Sequence, residues 1–109
     1  MGLYGDYFKP IKEGKKKVEV RLNDEKRRVI KAGDTINFVK VPEQDEMLKV
    51  EVSKLHKYPT FQAMYEEISF INLGCEGWTM DEIMEGTYEI YSKEQERKWG
   101  ILAIEIIVA

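Results

Sequence analysis

Gly14-Lys15-Lys16-Lys17-Val18-Glu19-Val20-Arg21 is the stretch on which the reading of this chain turns. Its glycine stands where a helical pattern ends. From Lys17 to Leu22 the period is two: Val18, Val20 and Leu22 point to one face, and Lys17, Glu19 and Arg21 to the other. This predicts a strand with one apolar and one charged face. Lys16 has the parity of Val18, so it is expected at the strand mouth, where a bend at Gly14 can re-aim it. A cation beside Glu19 would hold the carboxylate ionised and could polarise a carbonyl or steady an oxyanion in a dry cleft. Arg21 offers a fork suited to phosphate or to orienting Glu19. The plainer alternative is a row of surface ion pairs, each worth about 0–1 kcal/mol.

Upstream, Leu3, Tyr4, Tyr7, Phe8 and Ile11 recur at helical spacing, with Gly14 as C-cap and Lys12 in the last turn. Pro10 places the regular part near Phe8 or introduces a kink. Downstream, Asn23-Asp24 signals a turn, followed by the basic Lys26-Arg27-Arg28. A brief pairing at Val29-Ile30 is expected before the turn at Ala32-Gly33-Asp34. Thr35 to Val41 and Met47 to Tyr58 read as strands joined by the exposed segment Pro42 to Glu46. Thr60 is placed to cap a helix carrying Phe61, Met64, Tyr65 and Ile68. After an irregular stretch from Phe70 to Trp78, Thr79 and Glu82 form a capping box ahead of a helix with Ile83, Met84, Tyr88 and Tyr91 on its buried face. Ser92 to Gln95 repeats the box. Gly100 then releases a closing apolar strand, Ile101 to Val108. The order predicts an α+β domain with a mixed or mostly antiparallel sheet, able to close into a partial barrel.

A chain of 109 residues, 43% hydrophobic and 34% charged, is expected to form one globular domain over residues 1–109. Neither a secretory leader nor a transmembrane span is indicated, so no membrane partner is expected. One cysteine, Cys75, excludes an internal disulfide and fits a cytoplasmic location. With one histidine as well, no zinc site, metal or cofactor is expected. The net charge of −3 is unevenly spread. Residues 1–41 hold 11 Lys or Arg against 6 acids, a net of +5, and residues 42–109 hold 6 against 14, a net of −8. A basic half within an acidic chain can be a local anion-binding surface.

The octet resembles the Gly-x-Lys-x-x-Glu-x-Arg signature of the ASCH family, a branch of the PUA-like superfamily. The likeness extends through Leu22-Asn23-Asp24, through Gly33-Asp34-Thr35-Ile36, and through Tyr91-Ser92 to Trp99-Gly100-Ile101-Leu102-Ala103-Ile104. The resemblance implies a partly open β-barrel of about five to six strands flanked by helices, with the signature in a cleft that contacts RNA. It implies RNA- or nucleotide-binding residues at Gly14, Lys16, Lys17, Glu19 and Arg21. Small bacterial relatives that hydrolyse acetylated cytidine nucleosides use a Lys, a Thr and a Glu. Their Lys falls on Lys16 and their Glu on Glu76, whereas their Thr falls on Glu19. A ribonuclease has also been suggested among relatives. The alternative to a binding module is therefore a hydrolase of modified nucleosides or RNA with Lys16, Glu19 and Glu76 as catalytic groups. A protein-interaction domain is the third reading.

Other candidates are weaker. Glu76 is also a loop acid stabilised by the helix that follows it. Trp78 could stack a base, as could Trp99, though an aromatic is more often core. His56 reads as an edge histidine. Cys75 has no cationic neighbour in sequence to make it a thiolate.

Overall fold

The computed structural model describes residues 1–108. Ala109, the last residue of the expected domain, lies outside the described residues. The chain runs β1 (Gly2–Tyr4), α1 (Gly5–Lys12), β2 (Val18–Leu22), β3 (Thr35–Val41) and β4 (Met47–Tyr58). It continues as α2 (Phe61–Glu67), α3 (Met80–Ile90), α4 (Lys93–Trp99) and β5 (Ile101–Val108). The five strands form one sheet in the order β1-β3-β4-β5-β2. β1 runs parallel to β3, and the other pairings are antiparallel. The sheet curls into a half-barrel with β1 and β2 at its free edges, an α+β fold of the PUA-like, partly open kind. No helix among the described residues is long and apolar enough to cross a membrane.

Alternation along each strand divides the core into two clusters. Ile36, Phe38, Val50, Val52, Leu102, Ile104 and Ile106 gather around Leu3 and the α1 residues Phe8 and Ile11. On the other face Val18, Leu22, Ile101 and Ala103 pack against Phe61, Met64 and Leu73. β5 lies between β4 and β2 and is buried on both faces, so Ile101 to Ile104 reads as an unbroken apolar run rather than an alternating one. The caps form as their residues dictate. Thr60 Oγ1 accepts from the Ala63 amide, and Thr79/Glu82 and Ser92/Gln95 are complete capping boxes.

Two local expectations give way to the sheet. Leu3 and Tyr4 belong to a strand, not to the first helix, because the edge of β3 offers backbone partners that a free helix start lacks. The Met1 ammonium donates to the Asn37 carbonyl at 2.9 Å, and the Val39 amide donates to the Met1 carbonyl at 2.9 Å. A strand of three residues is too short to show a period of two. At Val29-Ile30 no strand forms. The amides of Arg27 and Arg28 both bond the Asp24 carbonyl, which coils the segment into turns and leaves Val29 exposed. Pro10 sits inside α1, where its ring removes one helical donor. Tyr91 follows α3 as its C-cap and still packs against the second cluster.

Gly100 joins α4 to β5 at φ 70°, and a Cβ there would lie 3.0 Å from the Tyr58 carbonyl oxygen. The backbone conformation and the close approach both require glycine. Gly100→Ala is expected to cost more than about 1 kcal/mol in denaturant unfolding; an unchanged midpoint would show that this junction is not constrained.

Candidate functional site

The route of the chain into β2 explains where Lys16 points. The Pro10 carbonyl, near the end of α1, accepts from the Lys15 amide at 2.9 Å and the Lys16 amide at 3.0 Å. The Asn72 carbonyl then accepts from the amides of Lys17 and Val18 at 2.7 and 3.1 Å. Lys16 is thus held just before the strand, between α1 and the 70–74 turn, and is not bound by strand parity. Gly74 lets that turn close over it, since a Cβ on Gly74 would sit 3.3 Å from Lys16 Cβ. Glu19 and Arg21 stand opposite Ile104 and Leu102 of β5, on the face of the first cluster, at the free edge of the half-barrel.

There the three charged side chains meet. Lys16 Nζ donates to Glu19 Oε1 at 3.1 Å, Arg21 Nη2 donates to Glu19 Oε2 at 3.2 Å, and the Val20 amide donates to Glu19 Oε1 at 3.0 Å. Lys16 is only 8% exposed and Glu19 only 4%, so this is a buried charge set and not a wet strand face. Lys16 Nζ also lies 4.9 Å from the centre of the Tyr7 ring, a cation–π contact. Arg21 Nη2 donates in addition to the Gly2 carbonyl at 2.9 Å. One guanidinium therefore joins the two free edges of the sheet, β2 and β1.

The set forms the floor of a cleft of about 780 Å³. Tyr4, Tyr7 and Trp78, all substantially exposed, supply aromatic surface around it, and Ile90 adds an aliphatic one. Tyr65 and Thr87 line the wall, their hydroxyl oxygens 2.7 Å apart, and Thr87 Oγ1 donates to the Ile83 carbonyl at 2.7 Å. Burial raises the phenol of Tyr65, and burial raises that of Tyr91 against the opposing charges of Arg21 and Arg27. Both therefore stay neutral. The charged lining consists of Lys16 and Arg21 against Asp6, Glu19 and Glu89, so the interior is not a basic pocket.

The ASCH domain family matches residues 1–108. The chain belongs to the ASCH family. Among solved structures, the crystal structure of the hypothetical protein PH0355 is similar at TM-score 0.88 and 39% identity, covering 100% of this chain and 96% of that one. The solution NMR structure of protein PF0455 from Pyrococcus furiosus is similar at TM-score 0.78 and 39% identity, covering 99% and 94%. No curated protein matches the chain.

In this ASCH domain the signature residues divide between two concavities. Lys16, Glu19, Arg21 and Trp78 line the cleft. Gly14, Lys17 and Glu76 line a smaller groove with Lys15, and the two concavities meet at Pro10 and Gly74. Glu76 therefore does not stand with Lys16 and Glu19. Cys75 lines the cleft with its thiol raised by burial, which outweighs the nearby charge of Lys16, so it is not a ready thiolate. His56 pairs with Glu105 on β4 and β5, away from the cleft. Trp99 carries Arg28 and Lys98 on its ring and packs against the second cluster. Among the described residues no three His, Cys, Asp or Glu side chains converge as metal ligands. The octet gives no sign of Tyr7, Tyr65, Thr87 or Gly74. Of these, Tyr7 and Tyr65 had a signal, each by its place on the apolar pattern of its helix, α1 or α2.

Removing Glu19 strands Lys16 without its carboxylate. Glu19→Met is expected to cost about 3–5 kcal/mol, and the double variant Lys16→Met/Glu19→Met to recover most of that loss. Denaturant titration of the four proteins in this cycle measures both. Additive losses would mean the two side chains are not coupled.

Proposed function

We propose that this ASCH domain binds single-stranded RNA by taking one unstacked base into the cleft. The observation that carries this is the buried Lys16–Glu19–Arg21 set beneath aromatic surface from Tyr7 and Trp78. Glu19 uses one of the three Lys16 donors and Arg21 is shared between Glu19 and Gly2, which leaves Lys16 donors for the carbonyl edge of a base. Base–aromatic stacking is worth about 1–3 kcal/mol per base, and every base has a face to offer. The excess of carboxylates over cations in the cleft disfavours a phosphate there. Phosphates are better received in the adjoining groove, where Lys15 and Lys17 are exposed and within reach of a strand crossing Pro10 and Gly74. This assigns Lys16, Glu19, Arg21 and Trp78 to the base and Gly14 and Lys17 to the backbone.

Hydrolysis of acetylated cytidine has less support. Glu76 lies in the groove, and Glu19 stands where such hydrolases carry a hydroxyl, with both of its oxygens already bonded.

The test is a panel of cytidine, acetylated cytidine and an RNA of about eight nucleotides, scored for binding by Trp fluorescence and for release of acetate. Binding of cytidine and RNA without turnover is expected, weakened about tenfold or more in Trp78→Ala and in Lys16→Met. RNA affinity should fall with salt and cytidine affinity should not. Binding unaffected by both variants would place the ligand elsewhere. Acetate release abolished by Lys16→Met would make the protein a hydrolase.

A further inference from the structure

Of the 11 cations in the first 41 residues, only Lys16 and Arg21 line the cleft. Lys26, Arg27 and Arg28 fall on the turn after β2, and the fold brings the end of α4 to meet them. The Asn23 amide donates to the Gly100 carbonyl at 3.0 Å, which pins the start of the turn to the residue after α4. Arg28 Nε donates to the Asn23 carbonyl at 2.8 Å, and its guanidinium lies 5.6 Å from the centre of the Trp99 ring. Lys98 Nζ lies 4.8 Å from the same ring. Arg27 is occupied by Asp24, at 3.5 Å, whereas Lys26, Arg28 and Lys98 have no ion-pair partner among the described residues. Lys98 suits the negative end of α4 without any ligand. That does not account for Arg28, which comes from a different element and is held against the same ring. Arg28 and Lys98 thus lie near one indole with no carboxylate partner, and an anion bound to them would offset their mutual repulsion.

The position of this surface relative to the cleft suits the backbone phosphates of the ligand proposed above. The Lys15/Lys17 groove lies at the Val18 end of β2 and the basic turn at its Leu22 end, about 13 Å away by strand rise. The cleft lies between them, and its Tyr91 feels the charges of both Arg21 and Arg27. We infer that Lys26, Arg28 and Lys98, ordered on Trp99, form a second contact for the phosphodiester backbone of single-stranded RNA, on the far side of the cleft from Lys15 and Lys17. This rests on the reading of the cleft as a base site. A strand whose base enters the cleft then meets cations on both sides, and the binding site spans several nucleotides.

The test compares two triple variants that remove equal charge. One is Lys26→Gln/Arg28→Gln/Lys98→Gln; the other is Lys49→Gln/Lys54→Gln/Lys57→Gln on β4, where all three lysines are exposed. With an RNA of about eight nucleotides, the first is expected to weaken binding about tenfold or more and to lower the slope of log affinity against log salt by about 2. The β4 variant should change affinity less than about twofold, since its lysines do not follow the strand. Cytidine should bind the wild-type protein and the first variant equally. No loss in the first variant, or equal losses in the two, overturns the proposal, as does polyglutamate displacing the RNA as well as unlabelled RNA does. Failure of the base-site reading is seen separately, as cytidine failing to bind the wild-type protein at all.

Discussion

A single buried carboxylate, Glu19, accepts from Lys16 on one oxygen and from Arg21 on the other, and much of the architecture follows from where those two cations come from. The half-barrel does not close: β1 and β2 are free edges that no strand pairing joins. Arg21, oriented by Glu19, donates across that gap to the Gly2 carbonyl. Lys16, on the other side of Glu19, is delivered by α1 and covered by the 70–74 turn. The carboxylate thus ties together β2, the short strand β1 and the segment leaving α1. These are the elements least supported by the main sheet ladder.

Stability alone does not account for such a set. Buried ion pairs are often no better than apolar residues of the same volume, because desolvation offsets the attraction. The first cluster beside it, around Phe38, Val52 and Ile104, shows that this fold fills the same face with hydrocarbon where nothing else is required. Charges retained at the one unclosed seam, under an aromatic rim, are better explained by what the cleft receives. In the proposed reading the seam that leaves the sheet open is where the ligand enters, and the Arg21–Gly2 bond spans it. The division of charge fits that proposal, with cations paired to Glu19 inside the cleft and exposed ones at Lys15 and Lys17 outside it.

Much of this was legible in the residues. The two-residue period of Val18, Val20 and Leu22, the capping boxes at Thr79 and Ser92, and the unbroken apolar run from Ile101 all carry their structural meaning locally. So did the mismatch of Lys16 with the strand, which marked it as lying at the mouth. What local pattern could not show was anything settled by distant partners. Leu3 fits a helical spacing, yet β3 claims its segment, with the Val39 amide donating to the Met1 carbonyl and Leu3 in register with Lys40. Glu19 and Lys17 alternate alike, but Glu19 is buried because β5 and Arg21 face it, while Lys17 turns to the groove. Glu76 follows Cys75 in sequence and lies in a different concavity from it, on a turn closed by the Trp78 amide donating to the Cys75 carbonyl. Tyr65 and Thr87 come together from α2 and α3, a pairing that no spacing reveals.

Amide shift mapping tests most directly whether a ligand sits in the cleft over Glu19. Isotope-labelled protein would be titrated with a single-stranded RNA of about four nucleotides and followed by heteronuclear NMR. The largest saturable shifts are expected at Val20, Gly74, Cys75, Gly86 and the Trp78 indole, with smaller ones at Lys15 and Lys17. Saturable shifts confined to the exposed residues of β4, with Gly74, Gly86 and Trp78 unmoved, would contradict that placement.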